Sequence, residues 1–364
     1  MKINNIEIHN FRNYENLKVN FNDNINIFIG NNGEGKTNIL ESIYVLAITK
    51  SHRSYIDKNL ITNNKNIMKI NGKISTLNGN KNLELVMNQK GKRVSINKVV
   101  SKKISDYISN MSVVLFSPDD LELVKGSPGV RRKFLNIEIG QLDNKYLYIL
   151  NDYNEILKTR NEYLKSINID NINENYLDIL NNQLCDKALL IYKYRYEYIS
   201  NLNRYLIKIS KELSNKEITI NYINNIDVEN YDDNIKEKLL RKLRNNLKRE
   251  IFIGSTLYGP HKDDFGIYID KLDARDYGSQ GQQRLCVLSI KFSELELYNE
   301  KKKEYPILLL DDIFSELDSI KKNAIVKYLN NNMQVFITST DINDIDKLLL
   351  EKSKIYKISK GNIV

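Results

Sequence analysis

The chain has 364 residues, 41% of them hydrophobic, which is enough for one large or two modest domains with a full core. Its 55 Lys and Arg against 46 Asp and Glu give a net charge of +9, a balance that suits a polyanionic partner. No apolar run approaches the ~20 residues of a membrane span, the start reads as a strand and not a secretory leader, and two Cys and three His are too few and scattered for a disulfide framework or a metal cluster, so a cytoplasmic protein is expected.

Ile3, Ile6 and Ile8 open the chain as a strand-like alternation. Asn26-Ile27-Phe28-Ile29 is a second strand candidate, rich in apolar β-branched and aromatic residues. It runs straight into Gly30-Asn31-Asn32-Gly33-Glu34-Gly35-Lys36-Thr37, which reads G-x-x-x-x-G-K-T. Ile39, Leu40, Ile43, Leu46 and Ala47 follow at helical spacing. Strand, glycine-rich loop and helix in that order make a phosphate cradle. The glycines let backbone N–H groups turn inward, and the helix N-terminus adds partial positive charge. Lys36 is then a mobile cation for the β- and γ-phosphates of ATP, and Thr37 a hydroxyl for Mg²⁺. A chance glycine-rich turn is the competing explanation, and the flanking strand and helix weigh against it.

Residues 65–100 suggest paired antiparallel strands with turns at Asn71-Gly72 and Asn78-Gly79 and a basic hairpin tip at Lys90-Gly91-Lys92-Arg93. From 141 to 250 the pattern is helical: Tyr146, Ile149, Leu150, Tyr153, Ile156 and Leu157 form one stripe, and no proline falls between Pro128 and Pro260. Tyr192, Tyr194, Tyr196 and Tyr198 are expected to pack between helices, and Cys185 and Cys286 to fill the core. Arg241, Lys242, Arg244, Lys248 and Arg249 around Leu239, Leu240, Leu243 and Leu247 predict one amphipathic basic helix, either simply solvated or fit for phosphates. His261, beside Asp263 and Asp264, reads as a turn residue near the nucleotide or a lobe interface in preference to a metal ligand.

After about 255 the chain returns to α/β. Ser279-Gln280-Gly281-Gln282-Gln283 opens a helix carrying Leu285, Val287, Leu288, Ile290 and Phe292. This start is either a plain Ser cap or a second anion site. Pro306 precedes Ile307-Leu308-Leu309-Leu310-Asp311-Asp312, a wholly apolar strand ending in two carboxylates. Such a strand belongs in the centre of a covered parallel sheet, and ligands bind at the C-terminal ends of such strands. Asp311 is therefore the expected Mg²⁺ partner, and Asp312 the expected carboxylate that polarises the attacking water. Lys354 to Ile358 predicts a final strand.

The order P-loop, Ser279 to Gln283, then Leu308 to Asp312 followed by Ser315-Glu316-Leu317-Asp318 resembles the SMC/Rad50-like ATP-binding-cassette ATPases of DNA maintenance. Other segments are similar to the branch of that family acting in bacterial recombination and repair. They are Asn10 to Tyr14, Lys50 to Arg53, Phe116 to Leu121, Val124 to Pro128, Arg131 to Leu135, Thr159 to Asn161, Gly259 to Asp264 and Thr338 to Asp341. The resemblance covers nearly the whole chain and is thinnest from about 165 to 250. It implies an α/β cassette lobe of mixed sheets and helices from residues 1–140 and 255–364, with an inserted α-helical second lobe at 141–254.

The same resemblance implies a weak, DNA-stimulated ATPase that forms a homodimer with ATP and Mg²⁺ on gapped, single- or double-stranded DNA. It implies service in replication, recombinational repair and the SOS response, with recombination-mediator partner proteins and no membrane. Ser279, Gly281 and Gln282 of one copy would close over the γ-phosphate held by the other, and Ser315 to Asp318 would meet their counterparts. Arg12, Asn13 and Thr340 are carried over as further nucleotide-binding positions. Three departures stand out: Asp312 replaces the family's catalytic Glu, Thr340 its switch His, and the lid Gln has no clear equivalent around Ser117 to Asp120. Two rivals stay open, a nucleotide-gated DNA scaffold with negligible turnover and the ATPase subunit of a transporter or defence nuclease.

Overall fold

The computed structural model describes residues 1–54, 56–168, 171–228, 231, 234–314, 319–329 and 332–364. Its strands, numbered along the chain, are β1 (Lys2–Phe11), β2 (Tyr14–Asn20), β3 (Ile25–Ile29), β4 (Ile67–Thr76), β5 (Gly79–Asn88), β6 (Gly91–Ile96), β7 (Val99–Val100) and β8 (Val113–Phe116). They continue as β9 (Ile218–Ile223), β10 (Asp264–Ile269), β11 (Leu272–Asp273), β12 (Ile307–Asp311), β13 (Val335–Ser339), β14 (Ser353–Ser359) and β15 (Asn362–Ile363). The chain divides into two compact units, one of Met1–Leu121, Ile209–Asn215 and Val287–Val364, the other of Glu122–Lys208 and Lys216–Cys286.

The first unit holds two six-stranded sheets. One has the order β15-β14-β3-β13-β12-β8, parallel except for β15. Its strands β8, β12 and β13 are buried at every position, as a parallel sheet covered on both faces demands. The other is antiparallel, with the order β2-β1-β4-β5-β6-β7. Helix Lys36–Ile48 touches strands of both sheets and is buried at every residue from Ile39 to Ile48. A helix covered on two sides is apolar all round. Ile3, Ile6 and Ile8 are all fully buried in β1, and a register shift between Ile3 and Asn5 absorbs their uneven spacing.

The turn expected at Asn71-Gly72 does not form. Both residues lie inside β4, and the hairpin closes at Leu77-Asn78 instead. Gly72 is needed for proximity: a Cβ there would come 2.6 Å from Leu46 Cδ2 of the helix beneath.

The second unit is mostly helical, with Pro128–Leu142, Asn144–Ser166, most of Glu174–Ser214, Ile235–Asn245 and Leu247–Ile253 around a three-stranded sheet ordered β11-β10-β9. Strand β9 interrupts the run expected to be helical throughout. The anticipated boundaries at 140 and 254 fall inside this unit, because β10 pairs with β9 and Arg131 clamps Asp264 at 2.6 Å. The expected single basic helix is two helices, broken at Asn246.

Its core is unusually polar. Arg160 and Glu250, both wholly buried, pair at 2.7 Å, and Arg160 also donates to Asn181 and Thr256. Arg195 donates to the hydroxyls of Tyr146 and Tyr222 and to Pro260 O. His261 bonds Tyr153 OH and Thr256 O within this unit. Of the four tyrosines from 192 to 198, Tyr192 and Tyr196 pack on Tyr222 and Tyr194 on Tyr146, and Tyr198 is buried. Cys185 and Cys286 are free and buried. Among the described residues, no helix is long and apolar enough to cross a membrane.

Candidate nucleotide site

Strand β3 ends at Ile29, the loop Gly30 to Gly35 follows, and helix Lys36–Ile48 begins. Two glycines are dictated by geometry. A Cβ on Gly30 would meet Ile358 O at 2.4 Å; Gly35 stands at φ 117°, with Asn13 Nδ2 and Tyr14 OH each 2.7 Å from where its Cβ would be. Tyr14 OH donates to Gly35 O at 3.0 Å, and Asn13 Nδ2 to Glu34 O at 3.2 Å, so the turn between β1 and β2 and the first residue of β2 brace the loop from outside. Glu34 Oε2 accepts from Asn31 N at 2.9 Å across it. Lys36 Nζ donates to Gly30 O at 2.6 Å and Asn31 O at 2.9 Å, which keeps the ammonium at the loop's mouth. Burial pulls the Lys36 pKa down, against the upward pull of Asp312, Glu34 and Asp311.

Parallel pairing fixes what else reaches this edge. Asp311 lies opposite Thr338, and Ser339 opposite Ile29. Thr37 Oγ1 donates to Asp311 Oδ1 at 2.9 Å, and Thr338 Oγ1 donates to the same oxygen at 2.7 Å. Thr338 Oγ1 also accepts from Asp312 N at 2.9 Å. One hydroxyl thus holds the Asp311 carboxylate and the backbone of Asp312. Asp311 is only 6% exposed; burial raises its pKa, and the bonds from Thr338 and Thr37 oppose the rise. Asp312 has φ 50°, a left-handed conformation that Asp and Asn tolerate better than longer side chains. Thr340 is exposed just past the end of β13.

The structure brings together Gly30 to Thr37, Asn13, Asp311 and Asp312. It places Arg12 differently: the guanidinium grips buried Glu41 at 2.7 and 2.9 Å and Asn59 O at 2.9 Å, beside the P-loop helix and not on the loop. Burial pushes the Glu41 carboxyl up, but bonds from Arg12 and Ser51 outweigh it and hold it low. Sequence reasoning missed Thr338 and Glu41. Thr338 could have been found by asking which residue ends the strand beside Asp311; Glu41, by asking why a carboxylate sits in an apolar helix.

After β8, Ser117 N donates to Asp120 Oδ2, and Asp120 faces buried Lys291 at 3.8 Å. This closed turn stands where a lid Gln was sought. Ser279 lies in the second unit, exposed at the start of helix Gln280–Lys302. Its amide donates to Gln282 Oε1 at 2.9 Å, and its hydroxyl accepts from Gln282 N at 3.3 Å. That is a reciprocal capping box. Gly281 beside it is exposed as well. Ser315 to Asp318 lie outside the described residues.

Chemically, the loop suits a triphosphate. Among the described residues no three His, Cys, Asp or Glu gather as a metal cluster. Thr37 and Asp311 form an oxygen-only pair, which fits Mg²⁺, an ion that takes one or two protein oxygens and keeps several waters.

The chain matches the family described as RecF/RecN/SMC N terminal domain over residues 2–362. It is 41% identical, over 369 residues, to the DNA replication and repair protein RecF of Lactobacillus johnsonii, covering 100% of this chain and 99% of the relative. A solved structure of the recombination mediator protein RecF-ATP in the RecFOR pathway superposes with a TM-score of 0.93 at 33% identity, covering 100% of this chain and 96% of that one. The Smc head domain from Pyrococcus furiosus, at 14% identity and a TM-score of 0.55 over 100% of this chain and 95% of that one, shares the fold.

Proposed function

Because the chain belongs to the RecF family, within the RecF/RecN/SMC proteins of DNA replication and repair, we propose that it is an ATP-gated DNA-binding protein of recombinational repair. The fold is that family's mixed α/β ATPase fold with a helical insert. The observation that carries the nucleotide reading is Asp311 Oδ1, which receives the hydroxyls of both Thr37 and Thr338 at the mouth of the P-loop.

In this reading the loop amides and Lys36 hold the β- and γ-phosphates. Thr37 and Asp311 hold Mg²⁺, which when bound neutralises phosphate charge. Asp312 orients and polarises a water for attack on the γ-phosphorus. Ser279, Gly281 and Gln282, at an exposed and capped helix start, meet the γ-phosphate held by a second copy, since helix N-termini favour anions. Thr340 borders the same phosphate, and Asn13 steadies the loop. Two copies close with ATP on gapped DNA, and slow hydrolysis releases them. The first compact unit then serves as the cassette lobe and the second as the helical lobe. Recombinase loading with mediator partners, in the cytoplasm, completes this reading, and a relative described as a recombination mediator protein in the RecFOR pathway supports it.

A second reading, a scaffold with negligible turnover, is favoured by the short side chain of Asp312. The test is ATP turnover with and without gapped DNA, in wild type and Lys36→Ala. Slow, DNA-raised turnover is expected in wild type. Lys36→Ala should bind nucleotide about 10- to 100-fold more weakly, as befits loss of a charged donor, and turn over almost none. Unchanged affinity in the variant would sink the P-loop reading. Wild-type binding of ATP and DNA without turnover would select the scaffold.

A further inference from the structure

The second unit carries a surface that the nucleotide site does not use. Helix Leu247–Ile253 ends with Phe252 92% exposed and Ile253 48% exposed. A lone exposed apolar residue is ordinary; its neighbours set this one apart. Arg249 and Lys248, three and four residues back, share its side of the helix and are exposed. The stem of Lys165 passes beside Gly254, where a Cβ would lie 2.8 Å from Lys165 Cγ. Across the break at Asn246, exposed Arg241 lines an open cavity of about 400 Å³ with Lys238, Asn245 and Asn246. Other cations here are engaged: Lys242 pairs with Asp227 at 2.6 Å and Arg244 with Asp178 at 3.3 Å. Among the described residues, no ion pair engages Lys165, Arg241, Lys248 or Arg249.

Unengaged cations beside an exposed aromatic ring, Lys248 and Arg249 on its own helix face and Lys165 at the helix end, fit a ligand that offers both phosphates and open base faces. A duplex offers phosphates but keeps its bases stacked inward; a single strand offers both. A protein partner would need a larger apolar centre than Phe252 and Ile253 provide. We propose that this face binds single-stranded DNA, with phosphates on Lys248, Arg249 and Lys165 and a base stacked on Phe252. The inference rests on the DNA-acting reading above and adds the site to it.

The test is fluorescence anisotropy of the full chain with a labelled oligo-dT strand and, separately, a labelled blunt duplex. Phe252→Ala should weaken oligo-dT binding about 5- to 100-fold, the range for one lost stack, and leave the duplex unchanged. Phe252→Trp should restore it. Lys248→Ser with Arg249→Ser should weaken oligo-dT binding and flatten its log–log salt slope by about 1.4, for two lost phosphate contacts. Unchanged oligo-dT binding by Phe252→Ala, or equal losses on both DNAs, would overturn the proposal. A wild-type chain that binds the duplex but not oligo-dT would overturn it too, while leaving the DNA-acting reading standing; binding of neither would overturn that reading itself.

Discussion

Thr338 decides the geometry at the edge of the parallel sheet where the candidate site lies, because its hydroxyl bonds both Asp311 Oδ1 and the amide of Asp312. Asp312 then projects from a backbone at φ 50°, a conformation in which Asn is as comfortable as Asp. Asp312→Asn should therefore fold normally and bind ATP as wild type does. Turnover should fall about 10²- to 10⁴-fold, the contribution of a positioned base, and the ATP-bound form should persist. Steady-state phosphate release together with calorimetry checks both halves; wild-type turnover in this variant would remove Asp312 from the chemistry. The carboxylates and the P-loop were legible in the sequence because each sits at a strand end marked by an apolar run. Thr338 was not, since its importance arises from pairing between strands that are distant in sequence. The Arg12–Glu41 ion pair was not legible either, because nothing local marks Glu41 as the partner of Arg12.

At the scale of elements, periodicity located the P-loop helix and the central strands well. It failed at Gly72, where a glycine made room for Leu46 and was taken for a turn, and at Asn246, where a continuous amphipathic pattern hid a break. It was also blind to the buried polar core of the second unit, where burial holds His261 down at about 4 and pushes Asp263 up to about 6. The two act in opposite directions. His261, depressed from 6.5, contributes stability above pH 6.5 that is lost as pH falls towards 4. Asp263, raised from 3.8, contributes stability below that value that is lost as pH rises through 6. His261→Gln removes only the first. Its stability relative to wild type should improve on going from pH 7 to pH 5, by up to about 2 kcal/mol. Thermal melts at the two pH values check this, and an offset independent of pH would contradict it.

For the whole molecule, the nucleotide cradle belongs to the first compact unit and the Ser279 turn to the second. The capping box explains that turn locally, yet a cap does not require Ser279 and Gly281 to stand exposed. The proposed trans role makes a further demand on that exposed turn, and the two explanations separate cleanly on substitution. Loss of a cap alone costs about 1 kcal/mol and leaves association untouched. Ser279→Arg also sets a bulky side chain where a second copy's γ-phosphate would fit. The most direct measurement is sedimentation velocity of wild type and Ser279→Arg with ATP and Mg²⁺, after calorimetry establishes that both bind ATP. The account predicts that wild type shifts from monomer to dimer while Ser279→Arg stays monomeric. A Ser279→Arg chain that dimerises as wild type does, or a wild-type chain that stays monomeric with saturating ATP, would contradict it.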